Sequence, residues 1–277
     1  MVSLIFSFFL SLSLLAITAL LVVRLGVLSE SRFLSTLDDA YYQYTLNYVN
    51  EQTGYYTLPT GLAQSVLDDV FTVDEVRADV DDNVISAFRH VDSAIDTTDQ
   101  EERLSANVAQ FFSDNGVEAS GETEEITAAY VDEIMEIYRN AVRLPGLDAI
   151  VRVRDVFMRY FLVGTIALVA LSVVLVVMLV RMHHFAHRGL RYVAYATGGA
   201  TLMSFVAPFM LYRSGFYRGL KLTPQFFYHF GVSFIEHALK TCLFGALVLL
   251  VVTIVLIVVI NALRKQVKRR YRSSHFD

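Results

Sequence analysis

Residues 160–180 read YFLVGTIALVALSVVLVVMLV, a run of 21 residues without a charged side chain. At a rise of about 1.5 Å per residue, a helix of this length crosses the roughly 30 Å hydrocarbon core of a bilayer. The run decides the fold class because it follows directly on a strongly charged stretch of chain. It therefore marks the point where a water-facing region gives way to a membrane region.

Three further apolar runs predict three more membrane helices, at residues 4–23, 192–212 and 242–260. We interpret the first run as an uncleaved anchor and not a signal peptide, because no Lys or Arg precedes it and no clear cleavage site follows. The third run contains Gly198 and Gly199, which let helices approach closely, and Pro208, whose freed carbonyl needs a neighbouring helix. We therefore expect this span to pack inside the bundle. We predict an all-α membrane protein with a helical-bundle domain inserted between spans 1 and 2.

The charge of the chain is divided sharply between two regions. Between Ser29 and Asp155 lie 26 of the 28 Asp and Glu residues, against eight Arg and no Lys, which gives a formal charge of −18. This charge repels nucleic acid and anionic headgroups, so the region is not a nucleic-acid-binding domain. It could attract metal cations, cationic peptides or a basic protein partner, or serve only as a well-solvated surface.

The basic residues predict the orientation in the membrane. Six Lys and Arg between residues 264 and 272 follow the fourth span, and such clusters stay in the cytoplasm. With four spans, both termini are then cytoplasmic and the acidic domain lies outside. The single cysteine, Cys242, allows no intramolecular disulfide, and an outer domain without cysteine suits a bacterium better than a eukaryotic secretory pathway. We therefore expect the protein in a bacterial cytoplasmic membrane.

These observations divide the chain into four parts. The parts are transmembrane helix 1 (1–28), an acidic extracytoplasmic helical domain (29–155), transmembrane helices 2–4 (156–263) with an interfacial outer loop (213–240), and a basic cytoplasmic tail (264–277).

The acidic domain has helical periodicity throughout. Apolar residues from Phe33 to Tyr48 recur at spacings of three and four, which predicts one helical stripe. Thr98-x-x-Glu101 fits a capping box. A long helix is expected over 122–143, and after the bend at Pro145 the helix restarts and runs into the second span. We expect a compact bundle of four to six helices, tied to the spans without flexible linkers.

Two groups of residues resemble metal sites in part. Asp79-x-Asp81-x-Asn83 matches the first ligands of an EF-hand loop, but the sharp-turn Gly and the final Glu are missing, so we interpret it as a solvated helix face. His183 and His187 are four residues apart and could share a metal on one helix face. No Glu or Cys completes the set, so the alternative is a basic collar that faces the headgroups, formed by Arg181, His183, His184, Arg188 and Arg191.

The outer loop is rich in aromatic residues and follows Pro224, which is typical of an amphipathic interfacial helix. Lipid-interface residues are expected in two groups. Phe226, Phe227 and Phe230 would dip into the lipid, while Arg213, Arg218 and Lys221 would lie at the depth of the phosphates.

The same loop holds the candidate catalytic histidines, His229 and His237, and His90 of the acidic domain is a third candidate. A histidine at the outer interface could act as a general base on a lipid or lipoprotein. The alternative is an interface belt of aromatic and histidine side chains without catalytic function.

A family resemblance is carried by residues of the acidic domain. These are Leu58-Pro59-x-Gly61-Leu62, Val66-Leu67-x-Asp69, Thr72-x-x-x-Val76-x-x-Asp79 and Ile95-Asp96-Thr97. With the order of spans, they resemble uncharacterised integral membrane proteins of Gram-positive bacteria. The resemblance implies one span, an extracytoplasmic helical domain and three more spans. The four-span plan with outer histidines is also similar in outline to lipoprotein intramolecular transacylases, whose His-containing motifs are not recognisable here.

The function that these patterns favour is non-enzymatic. The chain has no Gly-x-Ser-x-Gly, His-Glu-x-x-His or Walker motif, and its expected spans contain no ionisable residue that would suit an ion-coupled transporter. We expect a sensing or interaction module, or an accessory subunit of an envelope complex. It would need no cofactor and would contact membrane lipids and a protein partner. The alternatives are an outer-leaflet lipid- or lipoprotein-modifying enzyme and a cation-binding sensor.

Overall fold

The fold was obtained as a computed structural model. The structure describes residues 1–91, 94–117, 120–183 and 185–273, with only the backbone of residues 186 and 266–273. It is 85% helical, and the described part contains no strand. Four helical stretches are long and apolar enough to cross a membrane, as the four apolar runs predict. The chain is therefore a multi-pass membrane protein in architecture.

Nine α-helices follow one another through the described residues. They are α1 (Val2–Val22), α2 (Glu30–Leu34), α3 (Asp39–Thr57), α4 (Val73–Arg89), α5 (Thr98–Asp114), α6 (Gly121–Val142), α7 (Leu147–Arg181), α8 (Ala186–Ser214) and α9 (Gln225–Ser273). A π-helical turn, Val23–Val27, extends α1, and short 3-10 turns cover Leu58–Thr60, Gln64–Leu67 and Phe216–Gly219.

The chain forms two compact units. The apolar unit comprises Met1–Ser29, Arg154–Gly219 and Phe234–Asp277. The acidic unit comprises Glu30–Val153 together with Leu220–Ser233, a segment that comes much later in the sequence. As expected from the bend at Pro145, α7 runs without interruption from the acidic stretch into the second apolar run.

In the apolar unit, small and hydroxyl side chains join the helices. The Ser7 hydroxyl of α1 donates to the Tyr192 carbonyl of α8 at 2.8 Å, and Ser13 lies 2.9 Å from the Ser172 hydroxyl of α7. In α8, Ala196 and Ala200 are buried. Of the four spans α8 is the most buried, at 39% of its apolar window against 11% for α9. This agrees with the packing expected from its small residues.

The core of the acidic unit is formed where one face of each of α3, α4, α5 and α6 meets the others. Its fully buried side chains include Tyr41, Val49, Val76, Val80, Leu104, Ile134 and Tyr138. In α4 the buried residues recur at a spacing of four, which is the spacing of one helix face. Burial of this apolar surface stabilises a unit that contains no cysteine.

The ends of the helices differ from the sequence expectation in two places. The stripe from Phe33 to Tyr48 is two helices, because Asp38 caps α3 by accepting the Tyr41 N–H at 3.0 Å. The expected capping box at Thr98 is wrong, since the N-cap of α5 is Thr97 and Asp96 accepts the Thr98 N–H. True capping boxes begin α4 at Thr72 and α6 at Ser120.

Candidate functional site

The acidic unit contains an aromatic cluster built from two distant parts of the chain. Phe226 and Phe230, in the first turns of α9, are only 3% and 4% exposed. The Phe226 ring centroid lies 5.3 Å from that of Tyr48 and 5.9 Å from that of Tyr41. The Phe230 centroid lies 5.2 Å from that of Phe33. Such tilted and edge-on ring contacts add to the free energy gained by burying the rings.

A histidine–carboxylate pair borders this aromatic cluster. His229 Nε2 lies 2.9 Å and 3.0 Å from the two carboxylate oxygens of Asp38, so this nitrogen donates to the carboxylate. The His229 ring also packs against Tyr44, with centroids 5.5 Å apart. The His229 side chain is 28% exposed and that of Asp38 is 53% exposed, so the pair is only partly shielded from water.

Asp38 holds two elements together, because it caps α3 and binds the first turns of α9. Partial burial alone would raise the pKa of the Asp38 carboxyl. The hydrogen bond from His229, the N–H of Tyr41 and the nearby His229 charge outweigh that effect and lower the pKa. Asp38 therefore stays ionised over the physiological range and remains an acceptor for both donors.

This placement differs from the lipid-facing helix expected for the outer loop. Phe226 and Phe230 pack inside the acidic unit, while Phe227 is half-buried and Lys221 is exposed. The physical reason is that the rings of Phe33, Tyr41 and Tyr48 form an aromatic surface, and packing phenylalanines against it removes apolar area from water. Arg213 and Arg218 belong to the apolar unit, where Arg213 is exposed and Arg218 lies 3.7 Å from Glu236. The phosphate contacts expected of these cations stay a prediction.

Comparisons with models of known protein families, with curated proteins and with solved structures found no match. The resemblance to Gram-positive membrane proteins stays a prediction.

The other two candidate catalytic histidines lie outside this pair. His237 belongs to the apolar unit, where its carbonyl accepts the Thr241 hydroxyl and the neighbouring Glu236 binds Lys240 at 2.8 Å. His90 ends α4 in a left-handed backbone conformation with φ of 55°. The His229 ring, by contrast, forms a close pair with the Asp38 carboxylate.

The candidate metal histidines are engaged in other contacts. His183 Nδ1 lies 2.8 Å from the Leu179 carbonyl and its ring packs on Tyr192, while the His187 ring packs near Phe185. Among the described residues, no group of three His, Cys, Asp or Glu side chains is arranged to hold a metal ion. His184, a member of the expected basic collar, lies outside the described residues, as do the side chains of most of the basic tail.

The EF-hand-like triplet lies in the middle of α4, where no ligand loop can form. Two of its carboxylates accept tyrosine hydroxyls, Asp81 from Tyr42 at 2.7 Å and Asp79 from Tyr138. Burial raises the pKa of Asp79, and the surrounding carboxylates of Glu75, Asp82 and Asp96 add to this effect despite the Tyr138 hydrogen bond. These carboxylates thus bind the α3 and α6 helices to α4.

Asp38 and Tyr44 are the site residues that sequence reasoning missed. The only local signal for Asp38 is an Asp three residues before Tyr41, inside the stripe from Phe33 to Tyr48, and Asp is a residue typical of an N-cap. Nothing local indicates its partner, because His229 follows 191 residues later.

Proposed function

We propose that this protein is a non-enzymatic membrane protein of the bacterial envelope, in which the acidic unit senses or binds a partner and passes the change to the spans. It would act as an interaction module or as an accessory subunit of a membrane complex. The observation that carries the proposal is the packing of Phe226, Phe230 and His229 against α2 and α3 within the acidic unit.

This packing supports a signalling function because α9 is one uninterrupted helix from Gln225 to Ser273. Its residues up to Ser233 belong to the acidic unit and the later ones to the apolar unit. A partner that shifts α3 would therefore pull on the first turns of a membrane span. Helices transmit such displacements well because their hydrogen-bonded backbone resists bending.

The proposed topology has both termini in the cytoplasm and residues 29–155 outside, in a Gram-positive cytoplasmic membrane. The −18 charge of the acidic region and the basic tail support it. In a Cys242→Ser background, a membrane-impermeant maleimide should label Asp82→Cys in intact cells. It should label Lys265→Cys only after the cells are broken, and the reverse pattern would contradict the topology.

Purification from native membranes in a mild detergent, followed by mass spectrometry of bound proteins, tests the proposed function. We expect a stoichiometric protein partner. A Phe230→Ala variant of this protein should no longer change the activity of that partner, because the acidic unit has lost a packing contact with α9. A protein that purifies alone, with no partner, would contradict the proposal.

A second candidate function, an outer-leaflet lipid- or lipoprotein-modifying enzyme, is favoured by the His229–Asp38 pair. A carboxylate that orients a histidine is the arrangement of many general bases. In this case the purified protein would turn over a lipid or lipopeptide substrate, and His229→Ala would abolish the turnover. Activity that is unchanged by His229→Ala would remove this candidate.

A further inference from the structure

A continuous groove runs between α5 and α6 on the acidic unit. It consists of two neighbouring cavities of about 650 Å³ and 480 Å³, which share Phe112, Thr123 and Thr127 in their walls. Each has the size of a site for a few side chains. None of the residues that line the groove belongs to the aromatic cluster or to the His229–Asp38 pair.

The walls of the groove expose apolar side chains on an otherwise charged unit. Ile126 is 55% exposed, Val117 42% and Tyr56 38%. Phe111 and Phe112 are half-buried between them. Exposed apolar surface that is contiguous and rimmed by polar residues marks interaction sites on soluble surfaces.

The rim of the groove is strongly acidic. Residues 98–136 contain eleven Asp and Glu against one Arg, Arg103, and one of the eleven, Glu101, is paired with Arg139 further along α6. Arg103 forms an ion pair with Glu75 of α4, so its charge is already balanced by a carboxylate outside this stretch. Glu124 lines the groove itself, and Glu122 and Glu125 are exposed in the same turn. A ligand that enters the groove therefore meets apolar walls and a negative potential together.

We propose that the α5–α6 groove binds a cationic segment of a partner protein, with aliphatic or aromatic side chains in the groove and Lys or Arg at its carboxylate rim. This inference rests on the proposed function, in which the acidic unit is an interaction module. Charge complementarity decides the occupant: anionic lipid and a second copy of the same acidic face are both repelled by this rim.

A binding measurement on the full chain in an uncharged maltoside detergent tests the groove. The probe is a fluorescent 18-residue peptide with Leu at helical i, i+3, i+4 spacing and Lys elsewhere, and the matched control peptide has Glu in place of Lys. Detergent micelles without protein give the background to be subtracted. We expect the Lys peptide to bind, to bind more weakly as salt concentration rises, and the Glu peptide not to bind.

Two pairs of variants localise the binding. Ile126→Ser should raise the Kd of the Lys peptide about fivefold, because a half-exposed isoleucine loses its contact. Val91→Ser, an equally exposed apolar residue outside the groove, should leave the Kd unchanged. Glu124→Gln should raise the Kd about twofold, whereas Asp82→Asn removes one negative charge from α4 and should have a smaller effect. Circular dichroism confirms that each variant is folded.

Several results would overturn the groove as the site. They are a Lys peptide that does not bind, a Glu peptide that binds equally well, or control variants that weaken binding as much as the groove variants. A native partner that copurifies equally with the wild type and with an Ile126→Ser/Glu124→Gln variant would also overturn it, while leaving the proposed function intact. Specific peptide binding together with no partner from native membranes would support the groove and overturn the proposed function.

Discussion

At the scale of single residues, carboxylates in the acidic unit serve as connectors between helices. Asp38 accepts from the α3 backbone and from His229, and Asp79 and Asp81 accept from tyrosines of α6 and α3. An acidic side chain in such a position contributes differently to stability depending on the direction of its pKa shift. The pKa of Asp38 is lowered and that of Asp79 is raised, so removing the two charges should change the free energy of unfolding in opposite directions.

Replacing Asp38 should weaken its contact with His229 of α9. Whether the N-cap of α3 is also weakened depends on the residue that replaces it. Asp38→Asn keeps a capping oxygen but loses the charge, whereas Asp38→Ala loses both and should cost about 1 kcal/mol more. Because the folded-state pKa of Asp38 is lowered, its stabilisation is complete above the ordinary value of 3.8 and disappears as the pH falls further. Hydrogen exchange of the first-turn amides of α3, measured against pH, checks both points. Equal exchange in the two variants would contradict the capping function.

Asp79→Asn should stabilise the acidic unit at neutral pH. Because burial raises the folded-state pKa of Asp79, its ionisation opposes folding once the pH rises above 3.8. Asparagine removes that charge and still accepts the Tyr138 hydroxyl, so we expect a gain of up to about 1 kcal/mol at pH 7. The gain should vanish as the pH approaches 3.8 in a series of thermal unfolding measurements. A lower unfolding midpoint for Asp79→Asn at pH 7 would disprove this interpretation.

At the scale of elements, the apolar patterns of the sequence predict where the helices form, but not which helices pack against each other. The four apolar runs and the restart after Pro145 were predicted from length and composition. The break at Asp38 was missed because periodicity continues across a cap. The sequence does not predict the burial of Phe226 and Phe230. An aromatic helix next to a membrane span has the same composition whether it packs against lipid or against protein.

The packing of α9 on α3 should depend on two phenylalanines in the first turns of α9, Phe226 and Phe230. Phe226→Ala and Phe230→Ala each leave a cavity and should destabilise the acidic unit by about 3–5 kcal/mol. Phe216→Ala removes a ring that is 74% exposed and should have little effect. Hydrogen exchange across α3 is the measurement, and unchanged protection in Phe230→Ala would mean that α9 does not hold α3.

In the apolar unit, the backbone of α8 at Gly189 lies so close to the end of α7 that a larger residue does not fit at this position. A Cβ there would lie 2.6 Å from the Leu179 carbonyl oxygen and 2.7 Å from the Val180 Cα, and these backbone atoms cannot rotate away. Gly189→Ala should therefore cost about 1–3 kcal/mol. Gly164→Ala, at a position with nothing within 4 Å, is the control and should be neutral or slightly stabilising in detergent unfolding assays. Equal midpoints for the two variants would argue against this close contact.

At the scale of the whole molecule, the sequence predicts an acidic region between membrane segments, but not that this region includes residues 220–233. Charge counts and hydropathy depend on neighbours along the chain, and so they report only local composition. The membership of Leu220–Ser233 in the acidic unit depends on contacts between residues far apart in sequence. No local property of the chain encodes such contacts.

Because Leu220–Ser233 belongs to the acidic unit, this unit cannot complete its folding until that segment has been synthesised. When the ribosome has completed residues 30–153, the rings of Phe33 and Tyr41 still lack the contacts of Phe230 and Phe226, because the segment that supplies those two rings has not been made. The acidic unit can finish its core only after the third span has emerged. A chain that ends at residue 219 should therefore yield an acidic unit that proteases digest readily, whereas extension to residue 277 should protect it.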